Sequence, residues 1–392
     1  MPFFGDLARM FQQQQHGPVS WDAARQLAAS IATEGQSEPN VDPMVRMQLE
    51  QLARVAELHV AQATGLAVSQ SGAGIAIVPV TRTQWTERSL GALRDLFEAL
   101  AGSLSAGMHA AAAEPVDPAD ADDPMTAMLG GLMQMLSPMM LGMTAGSMLG
   151  HLARRSFGQY DLPIPRPPSD ELMVVVPNID EFGSEWSLPA DDLRLWVCLH
   201  EVTHHAVLGV PHVRERLDSL LRQYVAGFQP DPSSLEDRLS GIELADPTSM
   251  SGLAGLQEAL GDPEVLLGAI RSPAQLALLP ELEALVTTIV GYVDHVMDSV
   301  GTGLIGSYRM LSEALRRRRV TADPSDRFVE RLLGLELTQA AYDRGSAFIA
   351  GVVERAGTDA LERLWRDERE LPTPAEVDAP GLWLARIDIP LD

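Results

Sequence analysis

Cysteine is nearly absent. Cys198 stands alone, which excludes an intrachain disulfide and a four-cysteine zinc site. Aromatic residues are scarce at 5%, so the core must rest on Leu, Val, Ala and the 17 Met. Basic residues are outnumbered, 29 Lys+Arg against 54 Asp+Glu, for a formal charge of −25. Nucleic acid and anionic membranes need a positive surface, and this balance argues against either as the main partner. Met1–Gln15 lacks a basic region followed by an apolar run, so no signal peptide is expected and a cytoplasmic location is. The chain has no GxGxxG, Walker-type or GxSxG motif and no repeat of fixed period.

Ordinary apolar and charged content, 46% and 21% of 392 residues, predicts a globular chain with ample length for a core. Val45, Leu49, Leu52, Val55 and Leu58 recur at helical spacing and predict an amphipathic helix over Asp42–Thr64. Thr86–Leu104 reads as one further helix. Gly74–Val80 reads as a strand or extended loop, and Leu172–Pro177 as a strand. Asn178–Ser187 reads as a polar turn. Ala113–Pro124, acidic and proline-bearing, reads as a loop.

Met125–Gly150 carries no charge over 26 residues, long enough to span a membrane. Its glycines and Pro138 favour instead a buried helical hairpin broken near Ser137-Pro138. In it Gly142, Gly146 and Gly150 form a row that admits another helix closely. Tyr160–Ser169, with four prolines, should cross as an extended segment, and the tail after Leu371 should pack as an extended strap through Trp383 and Leu384. The expected organisation is one continuous unit: a helical region over 1–160, a core with the chemistry over 161–300, and a helical region with the strap over 301–392.

The chemistry lies in Leu195–Pro211, LWVCLHEVTHHAVLGVP. Ser187 as cap, Pro189, Asp191 and Asp192 in the first turn, and Gly209 with Pro211 at the end predict a helix over Leu188–Leu208. His200 and His204, one turn apart, share a face and can converge on one Zn²⁺. Glu201, rotated by about 100° from His200, stands beside the ion as a candidate general base that takes a proton from water. Cys198 points away and reads as core; His205 reads as a rim residue.

A catalytic zinc needs a third protein ligand. The extended HExxHxxGxxH pattern fails, because Val207 and Val210 stand where Gly and His are required. His212 is an alternative, though a surface histidine after Pro211 is the plainer reading. Within the apolar Glu281–Val300 stretch, polar residues need a reason. Asp294 is the preferred ligand, with His295 or Asp298 as partners to a ligating imidazole or as ligands themselves. Arg316–Arg319 reads as a set of internal salt-bridge partners ahead of a ligand-recognition site.

The segments LHEVTHHAVLGVP, VVPNIDEF, GYVDHVMD, RRRR and LPTPAEVDAPGLWLARID, spread over Gly130–Asp388, resemble a bacterial zincin-like family of candidate zinc-dependent metalloproteases or hydrolases. Some of its members are associated with deazaflavin coenzyme biosynthesis. The resemblance implies a mainly α fold, with the HExxH helix next to a small β-sheet inside a helical bundle. It implies His200 and His204 as ligands and Glu201 as base. It also implies a Glu just before the Gly of GYVDHV, where this chain has Val290. Three outcomes stay open: Asp294 ligates instead, zinc binds weakly, or catalysis is absent. The expected activity is therefore a zinc-dependent hydrolase acting on a peptide or small amide, with a catalytically inactive zincin-like binding module as the alternative.

Overall fold

The computed structural model describes the backbone of residues 17–112, 124–230, 269–320 and 329–389. In chain order the elements are α1 (Trp21–Thr33), α2 (Pro43–Thr64), β1 (Ala76–Val80), α3 (Arg82–Ala92), α4 (Arg94–Ala112), α5 (Pro124–Arg155), β2 (Glu171–Val175), α6 (Val176–Glu185), α7 (Ala190–Gly209), α8 (Pro211–Ala226), β3 (Gln229–Pro230), β4 (Ala269–Ile270), α9 (Pro273–Leu304), α10 (Tyr308–Val320), α11 (Gln339–Ala356), α12 (Pro374–Val377) and α13 (Pro380–Ile387), with two 3₁₀ turns over Thr358–Trp365 and Glu368–Glu370. The fold is mainly helical with a small parallel sheet, as the family resemblance implies. The expected loop over Ala113–Pro124 falls, but for Pro124, outside the described residues.

The chain divides into two compact units, each assembled from three segments. The first comprises residues 1–36, 86–151 and 224–276. Here α5 runs unbroken through Pro138, which corrects the expected hairpin. A proline inside a helix forfeits the bond to the carbonyl four residues earlier, yet the helix continues and packs along α1. Ser20, at the start of α1, donates its N–H to the Pro138 carbonyl at 2.7 Å. The glycine row then lets α1 lie directly on α5. A Cβ at Gly142 would stand 2.2 Å from the Ser20 carbonyl oxygen, one at Gly146 2.5 Å from that of Ala24, and one at Gly150 2.7 Å from Ile31 Cβ. Ala24 and Ala28 are the buried small residues on the facing side.

The second unit comprises residues 37–85, 152–223 and 277–392 and holds the HEVTH segment. Asp42 caps α2 by accepting from Met44 N, and Gly65 closes it in the left-handed conformation, as the sequence pattern requires. α2 packs along α7, and α7 also touches α6 and β2. β1 and β2 pair in parallel, Ala76 opposite Glu171 through Val80 opposite Val175. On its other side the C-terminal end of β2 is met by Gly158, bridged to Val174.

Three further expectations are corrected. The polar turn after β2 is α6, because Pro177 is placed at its first turn and Val176, Ile179 and Phe182 bury one face. The Thr86–Leu104 helix is two helices that meet at Leu93. The tail is helical as well: Thr373 and Glu376 form a capping box, and Pro380 starts α13. Trp383 is wholly buried there, edge-on to Phe348 at 5.7 Å. α9 and α11 cross through paired glycines; a Cβ on Gly291 would lie 2.3 Å from the Gly345 carbonyl carbon. By length and composition α9 could cross a membrane, but two thirds of its apolar window is buried inside the protein.

Candidate metal and catalytic site

α7 starts at Ala190 behind Pro189, two residues later than expected, and Ser187 makes no cap but lies at φ 53°. The helix is buried almost all round from Leu193 to Leu208. Polar groups on such a helix need internal partners, and each group of the motif has one.

His204 Nδ1 donates to the His200 carbonyl at 3.2 Å, and His200 Nδ1 donates to Glu201 Oε1 at 3.2 Å. With each Nδ1 carrying the proton, each Nε2 keeps a lone pair, the tautomer a metal ligand needs. The two rings lie 4.4 Å apart, tilted by 54°. Trp196 stacks on His200 at 4.9 Å and Tyr160 on His204 at 6.1 Å, which fixes both ring planes. Burial holds the His204 pKa well below the ordinary histidine value, with the neighbouring His200 adding to the effect, so its imidazole is neutral and available for ligation.

Glu201 is completely buried. Its Oε2 accepts from Gln159 N at 2.7 Å and Tyr160 N at 2.9 Å. These donors belong to a turn, Phe157–Asp161, that is itself held by further hydrogen bonds. Asp161 accepts from Phe157 N and Gly158 N at 2.6 and 3.0 Å; Trp85 Nε1 donates to the Gly158 carbonyl at 2.8 Å; Val175 N donates to the Phe157 carbonyl at 2.8 Å. The turn approaches so closely that a Cβ at Gly158 would stand 2.3 Å from Glu201 Cδ. Burial raises the Glu201 pKa above the usual carboxylate value, against the opposing pull of His200.

The cradle was not foreseen from the sequence, nor was His205 as a buried residue. His205 is no rim residue: its Nδ1 lies 3.3 Å from the Tyr160 hydroxyl and its Nε2 4.0 Å from Asp170. The reason is that the proline-rich crossing segment covers the face that Glu201 and His205 share. Cys198 is core as expected, and burial pushes its thiol up to about 12.

Asp294 is engaged elsewhere. Its two oxygens accept from Arg319 Nη1 and Nη2 at 3.1 and 3.0 Å, and Asp298, one turn on, accepts from the Tyr308 hydroxyl at 2.7 Å. His295 and His212 are half-buried. Among the described residues no set of three His, Cys, Asp or Glu converges on one point. His200 and His204 thus fit two ligand positions of a zinc ion, and the structure does not bring Asp294, His295, Asp298 or His212 to them. Val290, at the position where the resemblance implies a glutamate, is buried.

His200 is the exposed edge of the pair, at 15% against 3% for His204. It opens on a cavity of about 60 Å³ whose walls include Trp196, Phe157, Asp161, Arg318, Arg319 and Tyr342. As expected, the arginine run makes internal ion pairs: Arg317 with Glu313, Arg318 with Asp161 and Arg319 with Asp294.

A family model described as zincin-like metallopeptidase matches residues 19–384. A crystal structure of a candidate hydrolase with a novel fold from Chloroflexus aurantiacus is similar, with a TM-score of 0.65 and 25% sequence identity over 95% of this chain and 100% of that one. No curated protein matches.

Proposed function

We propose, since this chain belongs to the zincin-like metallopeptidase family, that it is a zinc-dependent hydrolase that cleaves amide bonds of peptides or small amides, with Glu201 as general base. The observation that carries this reading is the pairing inside HEVTH: both Nδ1 atoms are occupied by protein acceptors, which leaves both Nε2 atoms for one ion. Zinc, when bound, supplies a Lewis acid that polarises the amide carbonyl and acidifies water.

The chain's own residues do the rest. Oε2 of Glu201 stays on the two backbone N–H groups of Gln159 and Tyr160. Oε1 takes the proton of the attacking water and later passes it to the leaving amine. Burial raises the carboxylate's proton affinity toward what this exchange requires.

The alternative, a zincin-like binding module without turnover, is favoured by one observation: no third described ligand joins the two histidines. Metal content separates the readings. Elemental mass spectrometry of protein purified without chelator should give about one zinc per chain, by the stoichiometry of a single site, and none in a His200→Ala/His204→Ala variant. Glu201→Gln should keep the zinc and abolish hydrolysis of a peptide library. Zinc-free protein that does not take zinc back would sink the hydrolase reading, and full turnover in Glu201→Gln would remove the general base.

A further inference from the structure

We infer that the outer face of α2 is a self-association surface, through which two copies of this chain pair antiparallel about a two-fold axis at Gln51. The inference is independent of the hydrolase reading.

A surface helix buries one apolar stripe and turns its polar side outward. α2 does the first: Leu49, Ala53, Ala56 and Val60 are buried. On one flank Gln48 donates to Asp191 and accepts from Arg194 Nη1 at 2.6 Å, both residues of α7. Yet α2 carries a second apolar stripe that the chain leaves uncovered. Met44, Met47, Val55 and Leu58 are 68%, 54%, 38% and 56% exposed. Single exposed apolar side chains are ordinary, but these four are aligned. At 100° per residue they fall, with Gln51, inside an arc of about 80° and along about 21 Å of helix axis.

The stripe is symmetric. From Met44 through Met47, Gln51 and Val55 to Leu58 the steps are three, four, four and three residues, the spacing of a helix–helix seam. The steps read the same in both directions. A two-fold antiparallel pair requires that self-complementarity, and an unrelated partner does not. With the axis at Gln51, Met44 meets the partner's Leu58 and Met47 meets the partner's Val55. Gln51 meets the partner's Gln51, and each amide offers its copy both a donor and an acceptor.

Charge repeats the symmetry. Arg46, Glu50, Arg54 and Glu57 lie together on the flank of the stripe opposite Gln48. None of the four has an ion-pair partner among the described residues. In an antiparallel pair the equal flanks of the two helices face each other, so Arg54 reaches the partner's Glu50 and Arg46 reaches the partner's Glu57. A parallel pair would turn the same flank toward Gln48 and His59 and leave all four charges unmatched. Opposite charges at these positions select partner and orientation more than they add affinity.

The test is the mass of the full chain in solution. One helix pair is smaller than a standard interface, so a dissociation constant on the order of 1–100 μM is expected. Sedimentation velocity across that range should show monomer giving way to a species of twice the mass. Leu58→Glu, with its fold checked by circular dichroism, should stay monomeric throughout, because a two-fold contact counts each change twice. Leu382→Glu, at a site of α13 that is 59% exposed, should leave the dimer intact. Glu50→Arg should weaken association at least about tenfold, and Glu50→Arg/Arg54→Glu should bring it back. Unchanged protein that stays monomeric across the range overturns the inference and leaves the stripe to a partner of another kind. A dimer that survives Leu58→Glu overturns it as well. A double reversal that does not rescue Glu50→Arg overturns the antiparallel pairing.

Discussion

Two carboxylates, Glu201 and Asp294, illustrate two ways of keeping an acid inside a protein. Glu201 is wholly buried and is held by backbone N–H groups of the Phe157–Asp161 turn and by an imidazole. Asp294 is about a quarter exposed and is held by a full counter-charge, the fork of Arg319. The difference is chemical. Backbone dipoles stabilise a carboxylate without cancelling its charge, so the group remains able to accept a proton. A bidentate guanidinium engages both oxygens of Asp294 and neutralises its charge, which weakens it as a metal ligand. The same functional group on two largely buried helices thus serves two ends, and the partner decides which.

The comparison can be broken most severely at Gly158. Gly158→Ala would set a methyl group against the Glu201 carboxylate at 2.3 Å. Overpacking of that kind costs about 2–3 kcal/mol, so thermal unfolding should show a clear fall in midpoint. An unchanged midpoint would mean that the turn is not held where it is described.

A smaller effect is expected from Asp294→Asn. With both partners about a quarter exposed, the cost should stay near 1–2 kcal/mol, below that of a fully buried pair. Zinc content should not change. A variant that folds but loses its zinc would make Asp294 a ligand after all and would erase the contrast with Glu201.

The smallest effect belongs to the tail. Burial alone would raise the Glu376 pKa, but hydrogen bonds from Arg386 and Thr373 outweigh it and hold the carboxyl below its ordinary value. Asp378 is lowered chiefly by its bond from Arg344. Groups with depressed folded pKa values add stability above the unfolded carboxylate range, near pH 4, and that stability is lost as pH falls through the lower folded values. Acid titration followed by Trp383 environment should therefore show Glu376→Gln less stable than the unchanged protein at neutral pH, with the two profiles converging as pH falls below about 4.

Much of this arrangement is legible in the sequence, for reasons that are local. HEVTH fixes two imidazoles on one helical face. The apolar spacing over Asp42–Thr64 fixes α2 as a helix, although Val55 and Leu58 of that pattern are exposed and Ala53, Ala56 and Val60 are buried beside Leu49, and a glycine every fourth residue fixes a close helix crossing. What is not legible depends on segments far apart in the chain. Nothing in GQYD announces that its N–H groups will close over a glutamate some forty residues on. Asp294 and Arg319 meet only because α9 and α10 fold back on each other. The hairpin expected at Pro138 fails for a similar reason: the proline's cost is local, whereas the close packing of α5 along α1 involves a segment more than a hundred residues away in the chain. The tail reads as extended because prolines break helices inside them, yet Pro374 and Pro380 occupy first-turn positions, where a missing N–H costs nothing.

The cradle has a kinetic consequence. Its bonds close loops of 73 residues from Trp85 to Gly158 and 42 from Gln159 to Glu201, and Arg318 reaches back 163 residues to the Arg155 carbonyl. Contacts of such separation carry a larger loop-closure cost than contacts within one helix, and they form more slowly. The histidine pair is made by one helix and can exist early, but the glutamate's seat and the arginine wall arrive with the last stages of folding. A chain made only as far as His204 would thus carry the two histidines without the arginine wall beside them.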